Sequence, residues 1–160
     1  MHVFDASSII HAWDNYPIEN FPPMWEWIAG QIESGEFAIA RVALEEVLNK
    51  APDCGCWLKE QGITALPLTN EVLQFAVEMK HAIGVVEDNY HVDGVGENDL
   101  LIIATAKTHG TTLVSDEKVQ FDLPKNIARY KIPAVCNLPA VQVKCISFIG
   151  LIRSSGAIFR

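Results

Sequence analysis

The sequence predicts an α/β fold in which a central, mostly parallel sheet is covered by helices on both faces. Three observations carry this reading. Short apolar runs of strand length recur at His2–Phe4, Phe37–Ala40, near 63–66 and at 111–114. Between them lie stretches whose apolar residues return every three or four positions, the spacing of a helix with one buried face. Strand and helix therefore alternate along the chain, which is the order that builds a parallel sheet.

The first strand ends on Asp5, and Ala6 to Trp13 follows in a helix-compatible pattern. Pro17, Pro22 and Pro23 make 16–23 a loop. Met24 to Ile32 reads as a helix with Trp25, Ile28 and Ile32 on one face. After the strand at 37–40, a helix is expected from about Val42 to Lys50, stopped by Pro52. A short helix and the strand near 63–66 come next. From Asn70 to Ala82, the residues Val72, Leu73, Ala76, Val77 and Met79 or Lys80 form a stripe at helical spacing. Residues 84–97 are polar and contain glycine, so a loop is expected. Asn98 is a candidate cap for a strongly apolar helix running from Asp99 to His109, with Asp99 in the first turn, where an anion is favoured. Gly110 ends it, and 111–114 is a strand of buried type. Ala134-Val135-Cys136 is a candidate last strand before a helix around 141–153. No linker or repeat divides the chain, so a single domain spanning 1–160 is expected.

The bulk properties narrow the class. With 160 residues, 49% hydrophobic and 20% charged, the chain can bury a core without staples. No apolar run approaches the roughly 18 to 20 residues of a membrane span, so no membrane association is expected. The N-terminus has no basic stretch followed by an apolar one, so no signal peptide is expected, and a cytoplasmic setting with reduced cysteines follows. Cys54, Cys56, Cys136 and Cys145 lack zinc-site spacing and read as small buried or half-buried residues. The formal charge of −8 is unevenly spread. Residues 1–106 carry 17 acidic and 4 basic side chains, and residues 107–160 carry 3 acidic and 8 basic ones. That locally basic third is a candidate surface for a phosphate backbone or an acidic partner, although ordinary segregation of surface charge accounts for it equally well. No individual RNA-contacting residue is legible.

The acidic residues carry the chemistry. Asp5 follows the first strand, Glu45 and Glu46 lie in the helix after the second, Asp99 opens the most apolar helix, and Asp116 and Glu117 follow the strand at 111–114. Ligands of parallel sheets collect at the carboxyl ends of the strands, where Asp5 and the Asp116-Glu117 pair fall. Taken singly, each has a structural explanation as a cap, a turn residue or a solvated side chain. Taken together, several carboxylates converging on one point repel one another, and a bound Mg²⁺ or Mn²⁺ relieves that repulsion. Such an ion also activates water and polarises a phosphate, as phosphodiester hydrolysis requires.

The segments VFDASSII, VALEEVLNK, NDLLIIATAKTHG and TLVSDEK resemble, in order and spacing, the motif set of PIN-domain nucleases, over roughly residues 2–120. Many members of that family are VapC-type toxins of toxin–antitoxin pairs. The C-terminal stretch KIPAVCNLPAVQVKCISFIGLIRSSGAIF resembles a PIN-like subgroup with a Pro-x-x-Cys strand and a closing helix. The resemblance implies a three-layer α/β/α PIN-like fold and a metal-dependent endoribonuclease that leaves 5′-phosphate and 3′-hydroxyl ends. Carried over residue by residue, the family's first Asp falls on Asp5, with Ser7 or Ser8 as its nearby hydroxyl. Its Glu, which precedes two apolar residues, falls on Glu46 and leaves Glu45 as a neighbour. Its central Asp falls on Asp99. Its Thr-x-Asp aligns with Ser115-Asp116-Glu117, so Glu117 stands where the family has Asp, and Asp116 is the competing acid. By resemblance Asp5, Asp99 and Glu117 would hold Mg²⁺ or Mn²⁺, Glu46 would hold the metal or orient the attacking water, and Ser7 and Ser115 would position carboxylate or phosphate. It further implies an RNA substrate, a cognate antitoxin and a possible homodimer, to which the segment with Trp13, Trp25 and Trp27 would contribute unless those rings fill the core.

Other chemistries lack their residues. A haloacid-dehalogenase-type phosphatase needs a second Asp where this chain has Ser7. No phosphate-cradling P-loop is present. His2, His11, His81, His91 and His109 are scattered without a nucleophilic motif. The remaining alternative is a PIN-like domain without catalysis that serves as an RNA-binding or protein-interaction module.

Overall fold

The computed structural model describes residues 1–160. Five strands form one sheet, β1 (His2–Phe4), β2 (Phe37–Ala40), β3 (Thr64–Leu66), β4 (Thr112–Val114) and β5 (Cys145–Ile146), in the order β3-β2-β1-β4-β5. Every pairing is parallel, with Val3 opposite both Ala38 and Leu113. Eight helices complete the three-layer α/β/α arrangement: α1 (Ala6–Asn15), α2 (Pro22–Glu33), α3 (Arg41–Lys50), α4 (Pro52–Glu60), α5 (Asn70–Ala82), α6 (Glu97–Thr108), α7 (Ile132–Cys136) and α8 (Phe148–Ser155).

Val3 and Phe4 of β1, all of β2, and Leu113 and Val114 of β4 are buried apolar residues because helices cover both faces of the central strands. All four residues of β2 are buried, whereas Thr64 and Ala65 of β3, at the sheet edge, are exposed. Phe4 and Phe37 of neighbouring strands meet edge to face, 5.0 Å between ring centroids. The helix α6 is buried on all sides, from Leu100 through Ala106. Full burial of each large aliphatic chain there is worth roughly 1.5–3 kcal/mol, so this helix anchors the position of Asp99 firmly. Trp25 is buried and meets Trp13 at 5.3 Å and Trp57 at 5.0 Å, so this aromatic cluster fills the core between α1, α2 and α4.

Strand order reverses beside β1: the chain proceeds outward to β2 and β3 on one side, and β4 and β5 lie on the other. The carboxyl ends of β1 and β4 therefore border the crevice where parallel sheets bind ligands.

Several sequence expectations are corrected. Pro52 does more than end α3; it opens α4 from a first-turn position, where its missing N–H is harmless. Leu73 and Val77 of α5 are exposed at 44% and 52%, and the buried stripe narrows to Val72, Ala76 and Met79. The cap of α6 is Gly96, two residues earlier than Asn98. Ala134-Val135-Cys136 is helical, because Pro133 favours the start of α7, and the expected Pro-x-x-Cys strand is absent there. The last strand lies instead at Cys145–Ile146, inside the stretch read as helix. Gln142 adopts φ of 50°, which breaks any helix through 141–147, and α8 begins only at Phe148. All four cysteines are free; Cys54 and Cys136 are buried, Cys145 is half-buried, and Cys56 is exposed. No helix is long and apolar enough to cross a membrane.

Candidate active site

Asp5 sits at the position that would cap α1, yet its side chain makes no cap hydrogen bond. Its Oδ2 instead accepts hydrogen bonds from the Ser7 hydroxyl at 2.6 Å and the Ser115 hydroxyl at 2.9 Å. Only 3% of Asp5 is exposed. Burial raises the pKa of its carboxyl, the two serine hydroxyls oppose that rise, and the negative charges of Glu46 and Glu117 add to it. Ser8 has a different task. Its hydroxyl donates to the carbonyls of Asp5 at 2.8 Å and Val114 at 2.9 Å, tying β1 to β4 below the site. Ser7, and not Ser8, is therefore the hydroxyl beside the carboxylate.

The two glutamates of α3 diverge. Glu45 points to solvent and pairs with Arg41 at 3.6 Å. Glu46, one position on, has a half-buried side chain and forms an ion pair with Lys50 one turn later. Asp99 lies in the first turn of α6, where its Oδ2 accepts the Gly96 N–H at 2.9 Å, so it serves as a helix cap as well as facing the site. Burial is the chief cause that lifts the pKa of Asp99 to about 6; the Gly96 N–H opposes it, and Asp5, Glu117 and Glu46 add to it.

The adjacent acids after β4 also separate. The Oδ1 of Asp116 accepts the Phe148 N–H, the first of α8, at 2.8 Å, while Ser147 is the cap of that helix. Glu117 has its backbone N–H on the Ser115 hydroxyl at 3.2 Å, and its side chain joins the acidic pocket. The Asp116 N–H in turn donates to the Ser7 hydroxyl at 3.1 Å. Ser7 and Ser115 thus brace Asp5 and the start of the β4–α7 connection at once.

Asp5, Ser7, Ile10, Glu46, Lys50, Asp99 and Glu117 together line one depression of about 200 Å³. Four carboxylates from four distant segments meet there, and Asp116 lines the neighbouring groove instead. The donor set is oxygen-only, which suits a hard divalent cation. As the side chains stand, no three of them close into a metal-binding group. Glu46 is turned to Lys50 and Asp99 to Gly96, so each is held by a partner within the chain. Lys50 is the residue that sequence reading missed. Its signal was the i, i+4 spacing from Glu46 in VALEEVLNK, which puts both on one helix face.

The family model for a domain of unknown function (DUF4411) matches residues 2–159. The chain belongs to this family. No curated protein matches it. Among solved structures, a chain of VapBC2 from Rickettsia felis, whose crystal structure was determined with a DNA fragment from the promoter, is 15% identical over 91% of this chain and 97% of that one, with a TM-score of 0.56. A chain of FitAcB from Neisseria gonorrhoeae is 14% identical over 93% of this chain and 99% of that one, with a TM-score of 0.49. The likeness to VapBC2 shows that this DUF4411 chain has the PIN-like fold that its motifs implied.

Proposed function

We propose that the protein is a metal-dependent endoribonuclease that hydrolyses RNA phosphodiester bonds and is the toxin of a type II toxin–antitoxin pair. One observation carries this reading: Asp5, Glu46, Asp99 and Glu117 share one pocket at the carboxyl end of a parallel sheet. Asp5, Asp99 and Glu117 are the residues that would hold Mg²⁺ or Mn²⁺, and their oxygen-only chemistry fits either ion. When bound, the ion supplies Lewis acidity to a phosphate and to water at neutral pH. Ser7 and Ser115 hold Asp5 in one orientation, and their hydroxyls favour its charged form against the burial that raises its pKa. Glu46 would orient the attacking water and accept its proton, with Lys50 released to face the phosphate. The antitoxin partner is proposed from fold analogy with VapBC2, and a homodimer from the family resemblance of the motifs alone. Its cheapest test is the gene neighbourhood, where the absence of a small adjacent gene counts against the pair.

The enzymatic test is Mn²⁺-dependent cleavage of a structured RNA by wild type and by the double variant Asp5→Asn/Asp99→Asn. Cleavage by wild type alone supports the reading. Equal behaviour of the two proteins removes it. In that case the pairing of Glu46 with Lys50, which neutralises one of the four acids within the chain, favours a non-catalytic RNA-binding or protein-interaction module.

A further inference from the structure

The acidic pocket does not end at its own rim. Glu117 lines it and also lines a second groove, with Ser115, Asp116, Val119, Pro133 and Cys145. Val119 and Pro133 in turn border a third depression, formed with Phe121, Leu123, Ala134 and Asn137. Neighbouring depressions that share these residues therefore lead from the four carboxylates toward Phe121 and Leu123.

Two features of that segment are unexplained by folding. The ring of Phe121 is 93% exposed, and Val119 and Leu123 beside it are 52% and 56% exposed. An aromatic ring held in water forgoes the stabilisation its burial would bring, so its position calls for another role. The ring is also presented by a braced backbone. The adjacent Gln120 donates from Nε2 to the Arg129 carbonyl at 3.1 Å and accepts the Lys131 N–H on Oε1 at 2.8 Å.

Charge gives the second feature. Segment 118–131 holds Lys118, Lys125, Arg129 and Lys131 against Asp122 alone. Arg129 pairs with Asp93, but none of the molecule's ion pairs involves Lys118, Lys125 or Lys131. A pocket of four carboxylates repels a polyanion, so a phosphate chain can approach it only where cations stand nearby. An exposed aromatic ring on a groove, in a segment whose lysines are unpaired, is the composition of a surface that takes single-stranded nucleic acid.

We propose that the segment 118–131 is the docking surface for an unpaired RNA strand, with Phe121 stacked on one base and Lys118 and Lys125 set against phosphates, leading the strand into the acidic pocket. The identity of the strand as RNA rests on the ribonuclease reading; the stacking surface does not. Phe121 is a specificity-determining residue in this scheme, because it selects bases that are free of a duplex.

Fluorescence anisotropy on the full chain, in chelator so that nothing is cut, tests this with a labelled unpaired RNA of about 12 nucleotides. Phe121→Ala is expected to weaken binding by roughly 5- to 100-fold, and Phe121→Trp to restore it. A duplex of the same length has no free base to stack, so its binding should fall less than about twofold in Phe121→Ala. Lys118→Gln/Lys125→Gln should lower the slope of log K against log salt by about 1.4, near 0.7 for each lost phosphate contact. Unchanged binding of the unpaired RNA by Phe121→Ala overturns the proposal, as does equal loss for strand and duplex. It also falls if wild type binds no RNA at micromolar protein, whether or not the face then proves to hold a protein. Parallel Mn²⁺-dependent cleavage assays separate the two readings. Intact cleavage with unchanged binding by Phe121→Ala removes the docking surface alone. The expected binding losses, with no cleavage by wild type, remove the nuclease alone.

Discussion

Ser115, at the end of β4, donates a 2.9 Å hydrogen bond to Asp5, at the end of β1, across 110 residues of sequence. The bond closes the junction of two central strands over a carboxylate that is almost entirely buried. Ser115→Ala leaves Asp5 with Ser7 alone. The expected loss is about 1–3 kcal/mol where Asp5 is ionised, and it shrinks as the pH is lowered, because a protonated Asp5 needs the donor less. Urea denaturation at two pH values checks this; an equal loss at both would show that Ser115 acts through packing.

Asp99 makes the metal-free protein less stable as the pH rises. Its folded pKa is about 6 against an ordinary 3.8, so between these values the folded state keeps a proton that the unfolded chain has released. Stability is therefore highest below about pH 4 in respect of this group, falls through about pH 6, and is level above it. The fall is on the order of 2–3 kcal/mol. In chelator, melting temperature against pH should show this descent in wild type and a flatter curve in Asp99→Asn. A wild-type curve that rises across the same range would contradict the buried, crowded state of this carboxyl.

Asp116 and Glu117 should separate stability from cleavage. Asp116→Ala removes the acceptor for the Phe148 N–H, so a loss of about 0.5–2 kcal/mol is expected with a modest change in RNA cleavage. Glu117→Gln should leave folding intact or improve it, since it removes one repelling charge from the pocket, and should lower the cleavage rate at least about tenfold. Thermal melts and initial rates on the same preparations decide the assignment, and the opposite pattern would place the catalytic acid at 116.

Binding of Mn²⁺ should raise the melting temperature with ion concentration. A cation that binds only the folded state adds about 2.7 kcal/mol at a hundred times its dissociation constant. The double variant Asp5→Asn/Asp99→Asn should lose that response. Without metal it should melt as high as wild type or higher, because like charges have been removed. A Mn²⁺ response that survives in the double variant would place the ion elsewhere.

The sequence by itself determined the local pieces. β2 at 37–40 and α5 at 70–82 are legible because an apolar run or a 3.6-residue stripe is a property of adjacent residues. The four acidic segments were legible for the same reason, since each stands beside such a piece. Tertiary structure decided the rest. β5 is two residues long and exists only because Leu113 and Ser115 donate to the carbonyls of Lys144 and Ile146, so no window of sequence around it reads as a strand. Glu46 differs from Glu45 by about a quarter-turn of helix, which turns one toward the crevice and the other toward Arg41. Asp116 and Glu117 are neighbours in sequence with different tasks, because α8, more than 30 residues on, brings the Phe148 N–H to one of them alone. The two serines act on Asp5 through a strand junction that periodicity does not describe. Carboxylate identity is local, but which carboxylate faces the crevice depends on hydrogen bonds between strand ends and helix starts that only the folded sheet brings together.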